Sequence, residues 1–576
     1  MPDPLLLPPP QKLTLTGGVC SSVSSIQRIA LDSAYPHAEG YTLTISPSAV
    51  SVTARTDAGV FYAFATLRQL IKQVGRDLPC VVIEDWPDFP VRGIMLDISR
   101  DRVPTMPMLR LWIERLAALK INHLQIYMEH TFAYPSHPDV WRDASPLTAA
   151  EIRELDALCR ANFIELVPCQ NTFGHMERWL KHPRYAGLAI TLDHRVSAMG
   201  DPRLPSTLNP LDPRSIELIE SIFSELAPHF SSKSFNVSAD EPFELGKGST
   251  ESAVAQRGKG KVYLDYLLAL HRLVTSRGHK MLFWGDIIIH YPELIPELPR
   301  DLIALDWGYE ALHDFDSHAA IYAGAQVPFY LCPGTSSWCA LIASTDNMLD
   351  NIRKAVRAGR THGALGILTT DWGDNGHWQP PSSSLPGIAA AAAMCWNAAS
   401  AALTAQSLAP LLDLHIYEGN VAAHILALGN LYQRVGAPHI NANLLAYALQ
   451  RSFAEFPDFK ARFDHWGGTE SDISPENLRS VISEIEDLLE KIAAAVVNAS
   501  DGELLRAEVL HAASMLRHGA RRLLLMQNQP DVSRAQLRDE WDVLESAQRR
   551  LWLERSRKGG LADSLARFEI ARSDYQ

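Results

Sequence analysis

Val91-Arg92-Gly93-Ile94-Met95-Leu96-Asp97-Ile98-Ser99-Arg100 leads through a segment spanning 106–120 to His123-Leu124-Gln125-Ile126-Tyr127-Met128. The two flanking stretches are short, largely apolar and end in polar groups. Between them Leu109, Trp112, Ile113 and Leu116 recur at the spacing of one helix face. A strand that is apolar without alternation is buried on both faces, so strand, amphipathic helix and strand read as a parallel sheet covered by helices. The unit repeats. The first two strands are expected at 93–99 and 123–128, further strands at 163–169, 234–239, 281–287, 302–307, 327–332 and 364–370, and helices at 149–162, 214–227, 261–277 and 346–358. Eight such units predict a closed (β/α)8 TIM barrel. A doubly wound sheet competes, but it usually has fewer units and one glycine loop for phosphate, and no GxGxxG pattern occurs.

At 576 residues the chain is too long for one ordinary domain. Before the barrel, Tyr41, Leu43 and Ile45 alternate with polar residues, Val50 and Val52 repeat the alternation, and 60–73 turns helical. This predicts a small α+β domain over 1–85, followed by the barrel over 86–402. From 403 to 576 the pattern is helical: Leu488, Leu489, Ile492 and Val496, then Leu504, Leu505, Val509 and Leu510, with charges between. Such a stripe is core of a helical region rather than a cofactor box. It is available to cover the barrel, to complete a neighbouring subunit's site, or to form a homodimer, and the sequence leaves these open.

A formal net charge of −13 disfavours nucleic acid as a partner, since that binding needs basic patches. No stretch reaches the length of a membrane span. The opening Met1-Pro2-Asp3-Pro4-Leu5-Leu6-Leu7-Pro8-Pro9-Pro10 has no basic leader and its apolar run ends in prolines. The seven cysteines are odd in number, scattered and without a CxxC pair, which predicts neither a disulfide framework nor a zinc ribbon. The expectation is a reduced, cytoplasmic protein, periplasmic if a leader was removed, with no cofactor and no metal.

In a barrel of this kind catalytic groups lie at the C-terminal strand ends. Those ends offer Asp97 and Arg100, Glu129 and His130, Gln170, Asn171 and His175, Asp240 and Glu241, Trp284 and Asp286, Asp306 and Trp307, Trp338, and Asp371, Trp372 and Asp374. Carboxylates with tryptophans suit a sugar, because acids work at the anomeric centre and indole faces stack on C–H surfaces. The sharpest segment is Phe235-Asn236-Val237-Ser238-Ala239-Asp240-Glu241-Pro242. Consecutive strand residues point to opposite faces, so both acids meet one ligand only if they lie past the last regular pairing. The competing reading is an exposed loop with a helix-capping aspartate.

Asp240-Glu241 after the fourth strand resembles the His-x-Gly-Gly-Asp-Glu signature of glycoside hydrolase family 20, the β-N-acetylhexosaminidases. Residues 91–100 resemble that family's first strand with its sugar-gripping arginine, matched here to Arg92. Phe173-Gly174-His175 resembles its Pro-Gly-His turn, Phe283-Trp284-Gly285-Asp286 its Gly-Trp-Asp-Glu strand, and Asp371-Trp372-Gly373-Asp374 its last-strand Trp-x-Glu. Residues 59–70 resemble its accessory domain. The departures are specific: Ser238-Ala239 replaces Gly-Gly, Asn236 replaces histidine, and Tyr127-Met128-Glu129-His130 replaces Leu-Thr-Asp-Asp. Trp338 takes the place of a tyrosine, and Asp374 that of a glutamate.

The resemblance implies an exo-acting, retaining hydrolase of terminal β-linked N-acetylhexosamine on oligosaccharides or glycoconjugates, in a divergent subfamily. It implies substrate-assisted catalysis through an oxazolinium intermediate, with Glu241 as acid and base and Asp240 orienting the acetamido group. Trp284, Trp307, Trp338 and Trp372 are expected to wall the pocket, Arg92 and Asp374 to hold outer hydroxyls, and His175 to pair with Glu129. Two rival glycan readings stay open. One is a two-carboxylate glycosidase with Asp371 or Asp374 as nucleophile, and the other is an inactive carbohydrate-binding barrel. A metal-dependent barrel using His130, His175, Asp240, Glu241 and Asp286 as ligands is a third.

Overall fold

The computed structural model describes residues 4–21, 28–75, 77–196 and 202–576. The first three residues of the opening stretch lie outside these. Strands β1 (Lys12–Cys20), β2 (Arg28–Leu31), β3 (Tyr41–Ser46), β4 (Ala49–Ala54) and β5 (Leu78–Asp85) form a sheet in the order β1-β5-β3-β4-β2. Tyr41, Leu43, Ile45, Val50 and Val52 all turn to its buried face, where they meet Tyr62, Ala63, Leu67 and Leu70 of helix Asp57–Val74. Thr56 caps that helix by accepting from the Gly59 amide.

Eight parallel strands close the barrel: β6 (Val91–Asp97), β7 (His123–Met128), β8 (Glu165–Gln170), β11 (Ser234–Asn236), β12 (Lys280–Trp284), β13 (Ile303–Trp307), β14 (Phe329–Cys332) and β15 (Gly366–Asp371). A two-stranded ribbon, β9 (Arg195–Val196) with β10 (Pro202–Arg203), interrupts the crossover from β8 to β11. The period-2 alternation sorts side chains into two cores. Met95, Tyr127, Cys169, Leu282, Leu305 and Leu368 fill the lumen. Ile94, Leu124, Leu166, Phe235, Phe283 and Ala304 face the helices. The fold is the expected TIM barrel with a small α+β sheet before it and a helical region after it.

Register shows where the barrel is tight. Strands β15 and β6 pair over six residues, as do β7 and β8, whereas β11 meets β8 only through Asn236 and Cys169. The strand expected over 234–239 stops at Asn236 because Ser238, Ala239 and Glu241 adopt φ of 55°, 65° and 47°. This left-handed region is costly for residues with a Cβ. The expected strand at 281–287 likewise ends at Trp284, before the turn at Gly285.

The chain beyond the barrel is helical, with Pro475–Ala494, Gly502–Met526 and Arg534–Arg555 its longest elements. Leu488 and Ile492 are buried in the first of these, but Val496 lies past its end and is exposed. The region shares one apolar core with the barrel's outer layer. Trp378, after β15, packs on Phe568 at 4.4 Å between ring centroids. Arg102, after β6, donates to Ser556 Oγ at 2.9 Å and to the Gln379 carbonyl at 2.8 Å. Among the described residues all seven cysteines are free, and no helix is long and apolar enough to cross a membrane.

Candidate active site

A cavity of about 1330 Å³ opens at the C-terminal end of the barrel, and Asp240 and Glu241 line it together. The left-handed turn after β11 lets two adjacent residues face one space. The turn is wedged in place from beneath: a Cβ on Gly174 would come within 1.9 Å of the Asp240 carbonyl, so only glycine lets the 171–175 loop pass there. That loop supplies the partners of the acids. Asn171 Nδ2 donates to Asp240 Oδ1 at 2.8 Å. His175 Nε2 lies 3.3 Å from Asp240 Oδ2 and 3.3 Å from Glu241 Oε2.

The imidazole between two carboxylates sets the electrostatics. Burial pushes the His175 pKa down, but the Asp240 charge and hydrogen bonds to both acids raise it well above the ordinary histidine value. The effect on Asp240 is reciprocal. Burial raises its pKa, while the His175 charge and hydrogen bond and the more distant Arg100 bring it below the usual aspartate value. Behind the pair, the Asp286 carboxylate accepts from the Glu241 amide at 3.1 Å. Burial, then the charges of Asp240 and Glu241, raise Asp286 well above the ordinary value.

Opposite the acids stands Arg100, three residues past the end of β6. Its guanidinium lies 4.7 Å from the Tyr127 ring centroid and 4.8 Å from that of Trp372. It also faces Asp97 at 3.1 Å, Glu129 at 3.3 Å and Asp374 at 3.8 Å. Aromatic walls complete the pocket. Trp307 stacks on Tyr309 at 5.1 Å and 13°, Trp338 meets Tyr309 edge-on at 5.0 Å, and Trp372 Nε1 donates to Tyr309 Oη at 2.7 Å. The far rim comes from the helical region, where helix Phe456–Gly467 contributes Arg462, His465 and Trp466.

Three expectations are corrected here. Arg92 is not at the pocket. It lies at the N-terminal end of β6, fully buried, bonded to Glu39 at 2.7 Å and to the Lys120 and Phe89 carbonyls, where it joins the barrel to the first domain. Trp284 is fully buried and does not line the cavity; it points into the lumen beneath Trp372, 5.8 Å away. Glu129 lines the cavity but does not pair with His175. Its carboxylate accepts from Tyr127 Oη at 3.0 Å and faces Arg100. Trp307, Trp338, Trp372, Asp374 and His175 do line the cavity.

Tyr309, Tyr447 and the rim helix were not anticipated as parts of the site, and Arg100, offered as a strand-end group, was given no role in it. Arg100 carried a signal, being past a strand end, whereas Tyr447 and the rim helix carried none in sequence. Asp371 sits outside the cavity lining, held by the hydroxyls of Thr335, Ser337 and Ser384 at 2.7, 2.9 and 2.7 Å. That removes it as a nucleophile in the two-carboxylate reading.

Paired acids, an arginine and stacked aromatics at the mouth of a (β/α)8 barrel define the class of carbohydrate-processing barrels. The model of glycosyl hydrolase family 20, domain 2, matches residues 8–86, and that of the family's catalytic domain matches 89–327. Together these cover more than half the chain, and the protein belongs to glycoside hydrolase family 20. The catalytic match stops before β14, ahead of Trp338 and the β15 end. Hexosaminidase D of Bos taurus is 30% identical over 213 residues, covering 35% of this chain and 57% of that one. Hexosaminidase D of Homo sapiens is 25% identical over 333 residues, covering 53% and 65%. The chain thus spans about half to two thirds of the length of the curated relatives it matches. The X-ray structure of Flavobacterium johnsoniae chitobiase, 16% identical, covers 95% of this chain and 99% of its own, with a TM-score of 0.59. At that identity the likeness speaks for the fold.

Proposed function

We propose that the protein is an exo-acting, retaining β-N-acetylhexosaminidase, acting on terminal β-linked N-acetylglucosamine or N-acetylgalactosamine of oligosaccharides or glycoconjugates. The observation that carries this reading is the turn that brings Asp240 and Glu241 to one cavity with His175 between them. In the substrate-assisted route the 2-acetamido oxygen attacks the anomeric carbon. Glu241 gives its proton to the leaving oxygen and later takes one from water. Asp240, kept anionic by His175 and Arg100, hydrogen-bonds the acetamido N–H and stabilises positive charge on the oxazolinium intermediate.

Arg100 takes over the role of outer-hydroxyl clamp first assigned to Arg92, together with Asp374. Trp307, Trp338, Trp372 and Tyr309 enclose the acetamido group. His175 orients both acids. Glu129 holds Arg100 against Tyr127. The cavity exceeds the 300–1,000 Å³ of ordinary small-molecule sites, which leaves room for an aglycone against Trp466.

The test is hydrolysis of an aryl β-N-acetylglucosaminide beside the matching β-glucoside. Wild type should cleave only the N-acetyl substrate, and Glu241→Gln should lower that rate by ~10²–10⁴-fold. Cleavage of the plain glucoside would sink acetamido participation and favour a two-carboxylate route using Asp374. Inactivity on both, and on galacto-configured and oligosaccharide substrates, would leave a binding protein.

A further inference from the structure

The segment that carries Trp307 and Tyr309 into the pocket has a second set of polar groups on its outer side. In β13, Ile303 and Leu305 turn to the lumen and Ala304 to the outer core. Asp306 follows Ala304 in that alternation and lies between the barrel and helix Phe315–Gly324, only 2% exposed. His318 of that helix brings Nδ1 to 2.9 Å from Asp306 Oδ1. His313, in the intervening loop, brings Nε2 to 3.9 Å from Asp306 Oδ2. One ligand atom from each residue can be chosen so that all three lie within 4.8 Å of one another.

An ordinary aspartate–histidine pair accounts for half of this cluster. It leaves Asp306 Oδ2 and His313 Nε2 both buried and without a hydrogen-bond partner among the described residues. They face each other at a distance too long for a hydrogen bond. The histidine rings lie 5.0 Å apart at 88°, so their lone pairs approach from different directions. His313 is also held in place. Its ring covers Gly308, where a Cβ would come within 2.2 Å of it; its amide donates to the Glu310 carbonyl at 2.9 Å; and Phe315 packs edge-on at 4.5 Å.

We infer that Asp306, His313 and His318 form a binding site for a divalent transition-metal ion of the zinc class. Two imidazoles with one carboxylate are a donor set suited to such ions, and three protein ligands leave a position for water. Ligand bonds of about 2.0–2.2 Å in a tetrahedron separate donor atoms by roughly 3.3 Å. With one atom from each residue the three donors lie within 4.8 Å of one another, so His313 Nε2, now 3.9 Å from Asp306 Oδ2, and His318 Nδ1, 2.9 Å from Asp306 Oδ1, need only turn toward a shared centre to complete the geometry. The ion ties strand, loop and helix together directly behind Trp307 and Tyr309, outside the acid pair and independent of what the cavity hydrolyses.

The full chain, stripped with EDTA and dialysed, is titrated with Zn²⁺ by calorimetry, and its melting temperature is followed with and without the ion. The expected result is one ion per chain with a rise in melting temperature that grows with free Zn²⁺. His313→Ala, His318→Ala and Asp306→Asn should each weaken binding ~100-fold or more, while Gly308→Ala, with every ligand retained, should weaken it ~10-fold by displacing His313. His175→Ala tests a rival cluster, that of His175 with Asp240 and Glu241, and should leave the Zn²⁺ affinity unchanged. Failure of wild type to bind stoichiometrically overturns the inference, and so does binding abolished by His175→Ala but kept by His313→Ala. Should His318→Ala not fold, wild-type stoichiometry and His313→Ala, on a half-exposed loop, decide alone.

Discussion

His175 is the residue on which the acid pair depends. Its imidazolium sits 3.3 Å from each of two carboxylates that would otherwise repel one another, and its pKa lies well above the unfolded value of about 6.5. A folded pKa raised in this way gives stability that is complete below the unfolded value and is lost as pH rises through the folded one. The melting temperature of wild type should therefore fall as pH climbs above 6.5, and His175→Gln should flatten that alkaline slope. A variant that keeps the wild-type slope would assign it elsewhere. The residue scale also explains one misreading. Arg92 and Arg100 flank the same strand, and only barrel polarity separates them: Arg92 opens β6 at the N-terminal rim, whereas Arg100 follows its C-terminal end. The resemblance supplied an arginine but not the end of the strand. The same limit applied to Glu129, chosen on chemistry alone, because an apolar strand tells which side chains are buried but not which partner each meets.

Elements were legible wherever a period was strong. Apolar runs of β6 and β7 and the helix between them are read directly, since burial on both faces leaves no polar alternation. The end of β11 was not read to the residue, because Ser238 and Ala239 occupy left-handed backbone that glycine usually takes. Two elements carry predictions. Lys120, after helix Met106–Ala118, is 1% exposed and pairs with Asp85 of β5 at 2.8 Å beneath the Trp396 ring. Lys120→Met leaves the Asp85 charge buried without its ion partner and should cost about 3–5 kcal/mol in denaturant unfolding. A loss below about 1 kcal/mol would mean that Tyr41 and Trp396 satisfy Asp85 by themselves. Helix Phe456–Gly467 presents Trp466, 45% exposed, to the cavity. Trp466→Ala should raise KM for a β-N-acetylhexosamine oligosaccharide while leaving that for a small aryl glycoside near wild type. Equal changes in both would deny it an aglycone role.

For the molecule as a whole, three regions were legible from pattern, but the relation of the last to the barrel was not. Amphipathic helices announce a buried face without saying what buries it. The structure supplies the answer: the helical region shares the barrel's outer core, and Arg102, Trp378 and Phe568 fasten the two together. A chain cut after residue 402 exposes that apolar face and should aggregate on expression rather than yield a soluble barrel. Soluble, cooperatively unfolding 1–402 would show that the barrel's own layers suffice.

The late origin of the rim helix also has a consequence in time. The last barrel strand leaves the ribosome well before helix 456–467 does, by roughly 4–17 s at ordinary elongation rates. During that interval the nascent barrel offers Trp338, Trp372 and the acid pair with one side of the cavity still missing. Every newly made chain therefore passes through a stage in which its aromatic mouth is open to whatever binds exposed apolar surface, and only further synthesis closes it.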